Sequence, residues 1–435
     1  MNRSRLDSMA TSRITAAGAI TSGAIPSGTP VTTGKTSVIA AIARKGLLAK
    51  LDGLANGRIE LHENGRCHRF GQLSDQFPEP VRVWVHSDEF FADIAFGGSI
   101  GAGESFMAGL WDCDSLVDLM RIMTVNRRVL DSLEGGSAWL TKPVHWLFHL
   151  LHRNTVSGSR KNIQAHYDLG NDFFRLFLDD TLMYSSAIFP REGMSLKEGS
   201  IAKLERICQQ LELCSHDHVL EIGTGWGGFA LHAASRYGCR VTTTTISDAQ
   251  YQLTQQRVRE AGLEDRITVL KEDFRNLKGQ FDKLVSVEMI EAIGEANIGR
   301  FFAVCNQRLK AGGRMLLQAI TIRDQIFDQY RRSVDFIQRF IFPGGFLPST
   351  TLLSEEMGRH SGLRLQQAED FGHDYARTLA EWRHNFQANS KDIEALGYSR
   401  EFMRLWLFYF CYCEAGFIER ATGVVQMLLV KDELF

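Results

Sequence analysis

The sequence predicts an α/β protein: a parallel sheet covered by helices on both faces, with helical insertions, preceded by a smaller α+β region. Two observations carry this. Between residues 218 and 320, apolar runs that read as strands alternate with longer stretches that read as helices, and that interval requires parallel strands joined by crossovers. Inside this region Val219-Leu220-Glu221-Ile222 runs directly into Gly223-Thr224-Gly225-Trp226-Gly227-Gly228, the strand, tight turn and helix start of a nucleotide-binding unit. With 435 residues and 44% hydrophobic content, the chain can bury the cores of two or three domains.

Taken in order, residues 1–37 are rich in Ser, Thr, Ala and Gly, carry Asp7 as their only acid, and read as a disordered tail. Arg3, Arg5 and Arg13 among serines also admit a mitochondrial transit peptide. Residues 38–128 read as a first domain, with a helix over 38–51, strands at 58–63, 67–71 and 81–86, a glycine-rich stretch at 97–104 and a helix over 115–127. Residues 129–162 form a linker in which Trp139 and Trp146 stand beside Lys142, Arg153, Arg160 and Lys161. That mixture suits a helix lying on anionic lipid, and it equally suits an ordinary packing helix. His145, His149 and His152 share a helical face there, but no acid or thiol is near enough to complete a shell, so no metal is assigned.

Residues 163–435 read as the α/β domain. Its strands fall at 218–222, 240–245, 267–272, 283–287 and 314–320, separated by helices such as 229–236, 249–261 and 298–309. A final strand at 424–431 is expected to close one edge of the sheet, after inserted helices at 324–340, 375–389 and 402–421.

The net charge of −2 gives no global attraction to nucleic acid, and no nucleic-acid partner is assigned. Eight cysteines without CxxC or zinc spacing point to reduced thiols in a cytoplasmic compartment. No apolar run reaches the roughly 18 residues needed to span a bilayer, so any contact with lipid is peripheral.

The glycine turn lacks a Gly-Lys-Ser/Thr ending, and its Glu-x-Gly-x-Gly-x-Gly spacing differs from the dinucleotide fingerprint. An acid at the strand end beside bare backbone suits a ligand with an ammonium group and no phosphate, which describes S-adenosylmethionine; a purely structural turn is the other reading. In an open α/β sheet the residues just past each strand form the site. The second strand ends in Thr245-Ile246-Ser247 where an acid usually binds ribose, leaving that contact to Asp248 or Gln250. Asp273 and Phe274 suit an adenine amino group and ring, or else a helix cap and a core aromatic. Glu288 and Glu291 supply carboxylates near a strand end, unless they are surface charges, and the aromatics at 336–342 and 402–417 suit a dry pocket able to stabilise a cation.

Seven segments in this order resemble the cyclopropane-fatty-acyl-phospholipid synthases. They are residues 164–174 (Gln164 to Phe174), Met183-Tyr184-Ser185-Ser186, the Gly223 turn, Thr245-Ile246-Ser247, residues 287–294 with Glu288 and Glu291, Phe340-Ile341-Phe342-Pro343-Gly344-Gly345, and Gly372-His373-Asp374-Tyr375. The likeness runs from about residue 160 onward. It is weaker over residues 38–126, where Gly101-Ala102-Gly103-Glu104 and Gly109-Leu110-Trp111-Asp112 look like the family's sterol-carrier-like, lipid-associated domain.

The resemblance implies a seven-stranded class I methyltransferase (Rossmann-like) domain that moves a methyl group from S-adenosylmethionine to the cis double bond of an acyl chain in a membrane phospholipid. A carbocation forms, and proton loss to a bound bicarbonate closes the ring. It further implies a cytoplasmic enzyme held peripherally at the inner face of the membrane, and it is compatible with a homodimer. Carried over by position, the bicarbonate cage would be Glu291, Ser186, Gln318, Ile320 and Tyr375; the cofactor site would be Tyr184, Ser185, Gly223, Gly225, Thr245, Ile246, Gln250, Asp273 and Phe274. Many members have cysteine at Ser186, and many bacterial members have histidine at Gln318. With a weaker base, the cation could end in a methyl-branched or methylene chain instead; a lipid-binding protein without activity is the remaining alternative.

Overall fold

The structure, a computed structural model, describes residues 38–127, 129, 131 and 169–432. The tail, most of the linker with its tryptophans and histidines, and residues 164–168 of the first motif lie outside the described residues.

A seven-stranded sheet dominates, in the order β10-β11-β9-β8-β5-β6-β7. Its strands are β5 (His218–Ile222), β6 (Arg240–Thr245), β7 (Ile267–Lys271), β8 (Phe281–Val287), β9 (Leu309–Ile322), β10 (Leu363–Asp370) and β11 (Thr422–Lys431). β5 runs parallel to β6 on one side and to β8 on the other, so strand order reverses at β5 and a crevice opens at its carboxyl end.

Two expectations need correction. The final strand does not close an edge: β11 lies between β9 and β10, antiparallel to both. Its six consecutive buried residues, Val424 to Leu429, are the mark of a strand covered on both faces. The true edge, β10, exposes every residue after Leu363, so it carries no apolar alternation to betray it. Nor is 324–340 one helix. It forms helices Asp324–Tyr330 and Phe336–Phe340, because Asp335 and Gln338 make a capping box that restarts the chain.

The smaller sheet has the order β2-β1-β3-β4, with β1 (Gly57–Glu63), β2 (Arg66–Gln72), β3 (Val81–Val85) and β4 (Trp111–Cys113). The glycine-rich stretch belongs to the helix Glu89–Met107, which kinks at Gly98. Gly103 is where this helix meets the insertion: a Cβ there would sit 2.4 Å from the Phe336 ring. Across this seam, the Arg404 guanidinium stacks 3.9 Å from the Phe106 ring centroid, donates to the carbonyls of Phe106 and Trp111, and bonds Asp112 at 2.8 Å. Arg404 belongs to the helix Arg400–Ile418, whose aromatic face packs on helices Leu116–Val125, Glu89–Met107 and Gly372–Ala388. One aromatic core therefore joins the two sheets.

Candidate active site

The chain leaves β5 through the glycine turn, where the N–H groups of Gly223 and Thr224 both donate to the Thr244 carbonyl. Gly223 has φ +98°, and a Cβ on it would lie 2.9 Å from the Met289 side chain, so only glycine fits. In front of this turn lies a cavity of about 900 Å³. It runs from the ends of β5, β6 and β8, past Phe342, Phe408 and Tyr409, to Ile59, Leu61 and Val83 of the smaller sheet.

All nine cofactor candidates line this cavity. Thr245 Oγ1 donates to Gln250 Oε1 at 2.8 Å, while Asp248 is half exposed and paired with Lys271; of the two, Gln250 lines the cavity and Asp248 does not. Asp273 caps the short turn Phe274–Asn276 and also holds the buried Arg275 guanidinium through both carboxylate oxygens. Burial acts to raise its pKa, but the bonds and charge of Arg275 outweigh that and hold it low. Phe274 packs edge-on to Phe301 in the core while also facing the cavity. For both residues, then, the cap and core readings hold alongside the position in the cavity wall. Tyr184 shares a 3.0 Å hydroxyl contact with Tyr409, and Ser185 Oγ accepts from Lys203 Nζ at 2.7 Å.

Glu221 decides whether S-adenosylmethionine fits. It lines the cavity, burial pushes it up to about 8, and no described group hydrogen-bonds its buried Oε2. An ammonium group would satisfy that oxygen and draw the carboxyl back toward its charged form.

The five residues assigned to the anion cage do come together, but not around Glu291. Glu291 Oε1 accepts from the Ile320 N–H at 2.5 Å, and no described group reaches its buried Oε2. Burial, then the charge of Glu288, push Glu291 up to about 8. The other three donors converge on Glu288: the Ser186 N–H at 2.9 Å and Gln318 Nε2 at 2.7 Å reach Oε1, and the Tyr375 hydroxyl reaches Oε2 at 2.7 Å. Ser186 turns its own hydroxyl to the Ala187 carbonyl, and neither Ser186 nor Gln318 lines the cavity, whereas Glu288, Glu291, Ile320 and Tyr375 do. Bicarbonate does not fit this arrangement, since the donors that would hold it already hold a carboxylate of the chain.

Lys203, fully buried beneath Ser185, is a site residue outside the sequence-based expectations. Burial pulls its pKa down to about 8 against the charges of Glu288, Asp179 and Glu221. Its signal was present: it shares with Leu196, Ser200 and Ile207 the buried face of helix Leu196–Gln210, where a lysine needs a reason.

A glycine turn at a reversal in strand order, with the cavity in front of it, is the construction of a class I methyltransferase. Coclaurine N-methyltransferase, 19% identical with a TM-score of 0.58, has the same fold. The family model described as mycolic acid cyclopropane synthetase matches residues 155–427, and the chain belongs to that family. Tuberculostearic acid methyltransferase UfaA1 of Mycobacterium tuberculosis is 36% identical, over 82% of this chain and 84% of its own length. The cyclopropane-fatty-acyl-phospholipid synthase of Escherichia coli is 34% identical, over 81% and 88%. The mycolic acid cyclopropane synthase CmaA1, solved with SAH and CTAB, is 32% identical with a TM-score of 0.59, covering 62% of this chain and 98% of its own. The protein is an S-adenosylmethionine-dependent methyltransferase.

Proposed function

We propose that this enzyme methylates the cis double bond of unsaturated acyl chains in membrane phospholipids and closes a cyclopropane ring. The observation that carries the reading is the continuous cavity from the glycine turn to the apolar underside of the smaller sheet, a shape suited to a long hydrocarbon chain rather than a small polar acceptor. S-adenosylmethionine supplies an electrophilic methyl group; Gly223, Gly225, Gln250 and Asp273 hold it and Glu221 meets its ammonium. The aromatic walls at Phe342, Tyr409 and Phe417 keep water from a carbocation and lower its energy through their ring faces. In this reading residues 38–128 are the lipid-associated domain, residues 129–162 dock on the bilayer, and the enzyme works from the cytoplasm at the inner face of the membrane. No described helix is long and apolar enough to cross a membrane.

Incubation with unsaturated phospholipid vesicles and methyl-labelled S-adenosylmethionine tests the proposal: label enters the acyl chains, and the absence of label from lipid would refute it.

A second reading keeps the site and changes the product to a methyl-branched or methylene chain. Two observations favour it: Gln318 stands where many bacterial members have histidine, and one extensive relative is named a tuberculostearic acid methyltransferase. Proton NMR of the extracted lipid separates the two, because ring methylene protons resonate at high field, whereas a ring-free product or a required external reductant marks the alternative.

A further inference from the structure

We infer that the carboxylate of Glu288 is the built-in base of this enzyme, taking the proton that the acyl cation releases, in place of a captured bicarbonate. The inference rests on the methyl-transfer reading above and deepens it.

Three donors from three parts of the chain meet on this one carboxylate: Ser186 from the loop before helix Leu196–Gln210, Gln318 from β9, and Tyr375 from helix Gly372–Ala388. Gln318 cannot turn away, because its Oε1 accepts from Gln426 Nε2 at 2.9 Å and so fixes the amide with its NH2 toward Glu288. An anion cage of this size holds one anion. A free bicarbonate would have to expel Glu288 or lie against it, and two like charges in one buried cage repel strongly.

The backbone gives an independent sign. Glu288 has φ +49°, in the left-handed region that favours glycine. A side chain at such a position is a standing strain that the surroundings must enforce, and such strain gathers at functional sites. What this strain achieves here is visible: it turns a carboxylate at the end of β8 back into the donors, on the wall of the cavity.

The charges divide the labour between the two acids. Burial raises Glu288, which strengthens it as a base, while Lys203 and the three donors favour its ionised form. Glu291, with no side-chain donor among the described residues and Glu288 beside it, is the acid that keeps its proton. In the step assigned, a C–H bond of the transferred methyl breaks and its electron pair forms the C–C bond that closes the ring. The proton passes to the Glu288 carboxylate, and the positive charge of the carbocation is discharged.

The test compares the parent with Glu288→Gly and Glu288→Gln in buffer freed of carbon dioxide, with and without added bicarbonate. Glycine suits φ +49°, so that variant folds and leaves the cage open; glutamine fills the cage without a base. The parent's rate is expected to be unchanged by bicarbonate. Both variants should fall by about 100-fold or more, within the range general bases supply, and bicarbonate should restore the glycine variant only. Binding of 13C-labelled bicarbonate, followed by NMR, should appear with Glu288→Gly and not with the parent. A parent rate that collapses without bicarbonate, full turnover in Glu288→Gln, or bicarbonate bound to the parent would overturn the inference. The binding measurement needs no lipid turnover, so a wrong substrate and a wrong base give different results.

Discussion

The Tyr375 hydroxyl donates to Glu288 Oε2 across 2.7 Å and ties helix Gly372–Ala388 to the end of β8. The Tyr375 ring stacks on Phe417 at 4.4 Å, so Tyr375→Phe keeps the packing and removes one donor from the carboxylate. An anion with fewer donors holds its proton more tightly. The acid limb of the kcat profile should therefore move to higher pH in Tyr375→Phe, with kcat down about 10-fold or more and S-adenosylmethionine affinity within about twofold. Rates between about pH 6 and 9 and calorimetry check this; an unmoved profile would argue that the bond is structural only.

Glu291 titrates in the opposite environment. Burial, then the charge of Glu288, carry it from 4.5 to about 8, so the folded protein binds this proton more tightly than the unfolded chain. Its contribution to stability is complete below about pH 4 and is lost as the pH rises through about 8. Glutamine does not titrate, so Glu291→Gln should melt progressively higher than the parent as pH rises from about 6 to 9. Lys203, lowered to about 8 by burial, acts in the reverse sense in both proteins and drops out of the comparison. Because Glu291 is neutral near pH 7, its amide replacement should leave turnover within about 10-fold of the parent there and cofactor affinity unchanged; a loss as large as that expected for Glu288→Gln would show that Glu291 acts in its ionised form.

At the glycine turn, Gly223→Ala meets the Met289 side chain at 2.9 Å as well as an unfavourable φ of +98°, whereas Gly225→Ala meets nothing within 4 Å and has φ +52°. Cofactor affinity should drop by at least about 10-fold in the first and by much less in the second, given a left-handed penalty of roughly 1–2 kcal/mol shared by both. Titration calorimetry distinguishes them.

The bilayer contact proposed for residues 129–162 has its own measurement. Replacing Trp139 and Trp146 together by alanine removes the residues suited to the headgroup boundary. Sedimentation with anionic vesicles should weaken several-fold while cofactor binding is unchanged; unaltered sedimentation would return the segment to ordinary packing.

Much of the larger sheet was legible because β5, β6, β8 and β9 carry buried runs separated by helices, and that pattern is written locally. β10 was not, since an exposed edge strand has no apolar face to display. The position of β11 departs from the expected edge because its unbroken buried run suits a strand flanked on both sides, whereas an edge has one side facing water. In the site, the glycines and strand ends could be read one by one. Which acid the donors would choose could not, because it depends on a left-handed turn at Glu288 and on where Ser186, Gln318 and Tyr375, far apart in the chain, direct their hydrogens.

The cavity takes its walls from both sheets, and that has a thermodynamic corollary. A guest long enough to touch Ile59 at one end and approach Gly225 at the other would bridge the two sheets, passing Ala102 and Ile337, the chain neighbours of the Gly103–Phe336 contact. Grip on the guest and cohesion of the two halves are then linked quantities, each strengthening the other by mass action. For the acyl substrate proposed above, the tail length accepted would then depend on that joint, and a change at the seam, distant from any reacting atom, would retune it.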